Sequence, residues 1–183
     1  VAAARLQKQR EEGKLQKKYL ALAEGDLSEA NDSVFWKEIA IPLAPDPENP
    51  MKMTISPDGL LPGSRNAVTY YKNIKNFGNV TLVELQLETG RTHQIRVHMS
   101  GIGHPLLGDT MYNPGTCLNM SNSKEKKNTE GRINNRNDCF KRAALHAWKL
   151  IFCHPFTDEI ITLEAPLPDD FCRFLNANEE EKT

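Results

Sequence analysis

The stretch VTLVELQLETGRTHQIRVHMSG, Val80 to Gly101, changes hydrophobic period in its middle. From Val80 to Thr89 the residues alternate. Leu82, Glu84, Gln86 and Glu88 point one way and Val83, Leu85 and Leu87 the other, the period of two of a half-buried strand. Thr89-Gly90 breaks that pattern. Beyond it Ile95, Met99 and Ile102 recur at i, i+4 and i+7, which predicts a short helix through about Met99 with a buried stripe. Thr92 is the expected cap of that helix. Ser100-Gly101 should end it, glycine being suited to the left-handed C-terminal position.

The segments on either side extend the same reading. Asn76-Phe77-Gly78-Asn79 reads as a turn, so Ala67–Ile74 and Val80–Thr89 form an antiparallel hairpin. Residues 1–17 favour a helix whose main part Gly13 closes. Lys17–Ala23 reads as a strand, with Tyr19, Ala21 and Ala23 on one side and Leu20 and Leu22 on the other. Phe35–Ile41 is a short strand stopped by Pro42. The proline-rich stretch 42–64 is ordered loop with short extended pieces, since proline cannot donate to a ladder. Asn113 to Asp138 is almost empty of large apolar residues and reads as a mobile insertion. Ala144–Phe152 and Ile160–Ala165 are two further strands joined by the turn His154 to Asp158, and a short helix covers Asp169 to Leu175. This order predicts an α+β fold, with a mixed, largely antiparallel sheet and flanking helices that form a central cleft.

Composition bounds the class. A length of 183 residues, 39% hydrophobic and 26% charged, suits one globular domain with a core. No run approaches the roughly 18 apolar residues of a membrane span, and the first residues mix alanine with Arg5, Lys8 and Arg10, unlike a signal peptide. Cys117, Cys139, Cys153 and Cys172 form no C-x-x-C pair, so reduced thiols in a cytoplasmic protein are expected. The net charge of −1 does not advertise a nucleic-acid binder, yet basic residues gather in 1–20 and 124–149. Each cluster can equally be a solvated face.

The densest potential chemistry is Glu88 to His98, where a strand end, a glycine turn and a helix start bring Arg91 and Arg96 together. Backbone N–H groups and guanidinium forks at such a turn suit a phosphate or a carboxylate. The bland alternative is structural, with Arg91 and Arg96 pairing with Glu84, Glu88 or Asp109. His93, His98 and His104 raise the question of a metal-dependent hydrolase, but His93 and His98 are five apart. They do not share a helix face as zinc-binding histidines do, and no metal is expected. The residues alone stop at an anion-friendly turn.

The run ETGRTHQIRVHMSGIGHPLLGDTMY, Glu88 to Tyr112, resembles the signature segment of the RluA-type family of RNA pseudouridine synthases. QKKYLALAEG (Gln16 to Gly25), SRNAVTYYKNI (Ser64 to Ile74), RAALHAWKLIFCHP (Arg142 to Pro155) and APLPDDF (Ala165 to Phe171) resemble further pieces of that family in the same order. The resemblance implies isomerisation of uridine to pseudouridine in ribosomal or transfer RNA. The base leaves its stack, the base–ribose C–N bond is cut and ribose rejoins carbon 5, with no cofactor or metal. It implies two catalytic residues, Arg96 pairing with the nucleophilic aspartate and Tyr19 stacking on the target base and helping in proton transfer, and it implies that Leu145 packs on the base. Arg91, Thr92 and His93 would support the pocket or touch RNA, while Asp109 would fix a turn.

In that family the nucleophile lies in an H-R-L-D-type motif upstream of the K-x-Y strand. None of Asp26, Asp32, Asp46, Asp58, Asp109 or Asp138 has the required neighbours. Residues 1–183 are therefore expected to be an incomplete catalytic domain with an insertion at 113–139. Such a chain would be inactive alone and active in a full-length, monomeric parent with RNA as partner and no membrane association. The alternative is a non-catalytic RNA-binding protein with a degenerate synthase fold. If the missing segment completes the sheet, an unpaired edge, exposed apolar surface and self-association should follow.

Overall fold

The computed structural model describes residues 1–27, 35–114 and 140–179. Helix α1 (Ala2–Glu11) leads into β1 (Gln16–Glu24), followed by β2 (Lys37–Ala40), β3 (Leu43–Pro45) and β4 (Met53–Ile55). Next come β5 (Val68–Asn76), β6 (Val80–Leu87), α2 (Gln94–Gly101), β7 (Leu145–Cys153), β8 (Ile160–Glu164) and a last helix, α3 (Asp169–Glu179). Six strands form one sheet in the order β2-β5-β6-β1-β7-β8, every neighbouring pair antiparallel. The fold is α+β, as the pattern of periods predicts.

Alternation along the central strand β1 explains why both faces of the sheet are covered. Tyr19, Ala21 and Ala23 meet Val83 and Leu85 of β6 and the Ile95–Met99 stripe of α2. Leu20 and Leu22 point the opposite way, into a second core with Leu82, Phe171 and Phe174. There α3 closes the sheet through edge-on aromatic contacts, Phe77 to Phe174 at 5.5 Å and Phe140 to Phe171 at 5.4 Å between ring centroids. Fully burying each such ring contributes about 1.5–3 kcal/mol relative to leaving it exposed. The hairpin β5–β6 forms around Gly78, whose φ of 83° an L side chain adopts at a cost.

Within the proline-rich stretch, β3 and β4 pair antiparallel and pack through Met53 and Ile55 against Val97 of α2. Two expectations about α2 change. Thr92 is not its cap: His93 precedes the helix in the left-handed region, φ 55° and ψ 17°, with no side-chain capping bond. The backbone N–H of Arg91 and the hydroxyl of Thr89 are instead taken by the Gln94 side chain. Gly101 does not supply the left-handed C-terminal residue either; Gly103, at φ 86°, does. Gly101 is small for packing, since a Cβ there would lie 2.9 Å from Ile55 Cγ2. From residue 115 onward the proposed insertion lies outside the described residues. Asn113 itself is buried and donates to Glu24 Oε1 at 2.7 Å.

Candidate active site

The turn between β6 and α2 is held by one buried side chain. Gln94 is 2% exposed; its Oε1 accepts from Thr89 Oγ1 and from the Arg91 N–H. Its Nε2 donates to the Val68 carbonyl at 2.9 Å and to Thr69 Oγ1 at 3.0 Å. The chain of bonds continues through Thr69 to His98 Nδ1 at 2.8 Å, and His98 Nε2 reaches the Ile41 carbonyl at 2.9 Å. A carbonyl only accepts, so Nε2 carries the proton and Nδ1 accepts from Thr69. Burial lowers the His98 pKa against the opposing effect of the Ile41 carbonyl, which keeps the ring neutral.

Arg96, one turn into α2, meets Asp109 in a two-point fork. Nε donates to Oδ2 and Nη2 to Oδ1, both at 2.7 Å. The Asp109 side chain is fully buried, and that of Arg96 is 21% exposed. Burial alone would raise the Asp109 pKa. The Arg96 guanidinium and the N–H groups of Tyr112 and Met111 outweigh it and keep the carboxyl below its usual range. Asp109 therefore does fix its turn, accepting from the N–H groups of Met111 and Tyr112 at 3.2 Å, and it also braces Arg96. Asp109 is thus the partner that the structural alternative offered for Arg96: Nε and Nη2 are occupied, while Nη1 makes no hydrogen bond among the described residues. The ring of Tyr112 lies under the guanidinium at 4.9 Å.

His93 Nδ1 and Tyr112 Oη are 2.9 Å apart, and Tyr112 Oη accepts from the Met53 N–H at 3.0 Å. With Nε2 protonated, Nδ1 accepts the phenol proton; with Nδ1 protonated, Tyr112 Oη accepts from it alongside the Met53 N–H. Burial first, then the charge of Arg96, lowers the His93 pKa. His104 Nδ1 bonds the Glu24 carbonyl at 2.8 Å. The three histidines serve separate partners, and among the described residues no group of three or more metal-ligating side chains converges.

Tyr19 is half-buried on β1, opposite Leu85 on one side and Ala147 on the other. Leu145 of β7 pairs with Ala21, two residues along, so Tyr19 and Leu145 flank each other on the sheet face that carries α2. Burial raises the Tyr19 pKa, so its phenol stays protonated at neutral pH. A cavity of about 370 Å³ opens beside Tyr19, between the end of α1, the start of β1 and the Thr89–Gly90–Arg91 turn. Arg91 lines it and donates through Nε to the Asn66 carbonyl at 3.1 Å, without a carboxylate partner among the described residues. On the far wall Tyr70 donates to Glu88 Oε2 at 2.7 Å, a bond that pushes the phenol up to about 12. Thr92 is exposed on the outside of the turn.

The structure thus brings Tyr19 and Leu145 onto one face and Tyr19 and Arg91 into one cavity, with His93 and Arg96 joined through Tyr112. Gln94, Tyr70 and Tyr112 were not singled out from sequence. The position of Gln94 directly after a glycine turn was the available signal, because a long amide there can reach back to the turn's own N–H groups.

The family model for RNA pseudouridylate synthase matches residues 1–101. An RNA pseudouridine synthase of Bacillus subtilis is 38% identical over 172 residues, covering 93% of this chain and 47% of the relative. Ribosomal large subunit pseudouridine synthase D of Haemophilus influenzae is 37% identical over 176 residues, covering 96% of this chain and 49% of the relative. This chain therefore spans about half the length of these curated relatives. The solved structure of human RNA pseudouridylate synthase domain containing 4 superposes with a TM-score of 0.67 at 26% identity, covering 97% of this chain and 67% of that one. No helix among the described residues is long and apolar enough to cross a membrane. Carrying the Glu88–Tyr112 segment on this sheet and matched by the family model over more than half its length, the chain belongs to the RluA-type family of RNA pseudouridine synthases.

Proposed function

We propose that the protein carrying this chain isomerises uridine to pseudouridine in RNA. The observation that carries this reading is the placement of the Tyr19 ring and Leu145 on one sheet face, beside a cavity rimmed by the Arg91 turn. The reaction breaks the bond from ribose C1′ to uracil N1 and joins C1′ to C5. C5 gives up its proton and N1 gains one, so atoms balance without a cofactor. A flipped base stacks on Tyr19 and packs on Leu145, which offsets part of the unstacking cost of a few kcal/mol. The protonated Tyr19 phenol acts as a ring surface and hydrogen-bond donor, not as a base. Arg91, Thr92 and His93 form the RNA-facing side of the turn. Arg96, braced by Asp109, offers its Nη1 edge to the nucleophilic aspartate of the kind the family carries and holds it ionised.

The Haemophilus relative is named for the large ribosomal subunit, which supports ribosomal RNA as the substrate class, with transfer RNA the alternative. In the same reading the enzyme is a cytoplasmic monomer. No observation favours a non-catalytic RNA-binding protein.

The test compares pseudouridine in RNA from cells with and without the gene, then complements with Tyr19→Phe, Arg96→Lys and Asp109→Asn. Arg96→Lys should lower turnover by about 10²-fold or more, since a point charge cannot serve two carboxylates in fixed geometry. Asp109→Asn should lower it less, acting through Arg96. Unchanged pseudouridine maps after gene loss would overturn the proposal.

A further inference from the structure

Helix α1 is attached in an unusual way. None of its residues is buried, so hydrophobic packing does not account for its place against the sheet. Polar bonds do: Gln9 Nε2 donates to the Cys153 carbonyl at 2.8 Å, and the Cys153 N–H returns to Gln9 Oε1 at 2.9 Å. The Arg5 guanidinium donates to the Pro155 carbonyl and lies over the Phe156 ring at 5.3 Å. These anchors fix the rotation of the helix, and they deliver Arg10 to the cavity beside Tyr19.

Arg10 approaches the Gly90 backbone so closely that a Cβ at Gly90 would lie 3.3 Å from Nη2. The next residue is Arg91, which lines the same cavity and whose Nε is spent on the Asn66 carbonyl. Two guanidinium groups from different elements thus flank one glycine turn. The acids nearest in sequence are engaged elsewhere: Glu11 with Gln7 at 2.9 Å, and Glu12 with Lys14 at 2.7 Å and Lys8 at 3.7 Å. Glu88, the carboxylate in the cavity wall, is bonded to Tyr70. Among the described residues no carboxylate pairs with either arginine. Lys17 adds a further positive charge to the same walls. Like charges gathered around a concave site, with nearby acids already satisfied, mark a place for an external anion.

We propose that Arg10 of α1 and Arg91 of the β6–α2 turn form a two-sided clamp on the phosphodiester backbone of the RNA at the mouth of the Tyr19 cavity. The inference rests on the reading that RNA enters this cavity and adds the groups that hold its backbone there. A phosphodiester offers two unesterified oxygens, one for each guanidinium, while the adjoining nucleotide reaches the Tyr19 ring. Arg10 does not touch the base, so the contact anchors the strand without reading its sequence.

The test uses the full-length protein and a fluorescein-labelled RNA hairpin with uridines in its loop. Affinity is followed by anisotropy across a salt series for wild type, Arg10→Gln, Arg91→Gln, the double variant and Arg10→Lys. Each lost phosphate contact should reduce the slope of log affinity against log salt by about 0.7–0.9, and the double variant by roughly the sum. Arg10→Lys should restore the slope, because the charge remains, while recovering only part of the affinity. A wild-type slope in Arg10→Gln, or weakened binding with an unaltered slope in both single variants, would overturn the clamp. Wild-type pseudouridine formation in RNA from gene-deleted cells is scored separately. Its absence removes the uridine isomerase reading, whereas an unchanged slope with isomerisation intact removes the clamp alone.

Discussion

At the residue scale the informative groups are buried polar ones whose partners leave a single protonation state. His98 is fully buried between the Thr69 hydroxyl and the Ile41 carbonyl, and its pKa is lowered by burial. His93 is shifted in the same direction, by burial and by Arg96. A histidine that resists protonation in the fold binds its proton more readily when unfolded, near pH 6.5. Its contribution to stability is therefore present above that pH and is lost as pH falls through the folded-state value. Thermal unfolding followed from pH 8 to pH 5 should show the melting temperature falling below about pH 6.5. His98→Asn should flatten that fall, leaving the share owed to His93. An identical profile in the variant would show that His98 does not titrate in this way.

Elements here are joined by side chains that reach back along the chain. The β6–α2 connection has no cap of the ordinary kind, and Gln94 replaces it, tying the turn to β5 through Val68 and Thr69. Gln94→Ala removes the acceptor of the Thr89 hydroxyl and the Arg91 N–H and a donor to the Val68 carbonyl and to the buried Thr69 hydroxyl. The expected loss is about 2–4 kcal/mol, read from urea unfolding, with the slope on denaturant unchanged. A loss under about 1 kcal/mol would mean that water replaces the amide without difficulty. The strand faces were legible in advance: Tyr19, Ala21 and Ala23 part from Leu20 and Leu22 as alternation requires, and both sets are in packed cores. The stripe Ile95, Met99, Ile102 was legible for the same reason. The cap at Thr92 and the terminal glycine at Gly101 were misread, because local propensity cannot see Gln94 reaching backward or Ile55 pressing on Gly101.

For the whole molecule the weak point is the edge of the sheet. Among the described residues β8 pairs only with β7, and Ile160 and Leu163 are 75% and 53% exposed on it. An edge strand with apolar side chains and free backbone groups templates pairing with another copy. Light scattering of residues 1–183 should show concentration-dependent association that Leu163→Lys or Ile160→Lys reduces, with little cost to the fold at such exposed positions. A chain that stays monomeric at high concentration without those changes would remove this edge as a liability.

Alternation and helical spacing are properties of neighbouring residues, so the sequence by itself determined the element order, the two faces of β1 and β6 and the stripe of α2. The resemblance of Glu88 to Tyr112 to a known segment marked the turn as the place of chemistry. Only the tertiary structure decided who meets whom. It decided that Arg96 is braced by Asp109 across the turn, that Tyr19 and Leu145 become neighbours, and that Arg10 from the first helix reaches Gly90. The physical reason is that hydrogen bonds and ion pairs act over a few ångströms in space. Strand register and helix rotation, set by packing of the whole core, determine which distant residues come within that range.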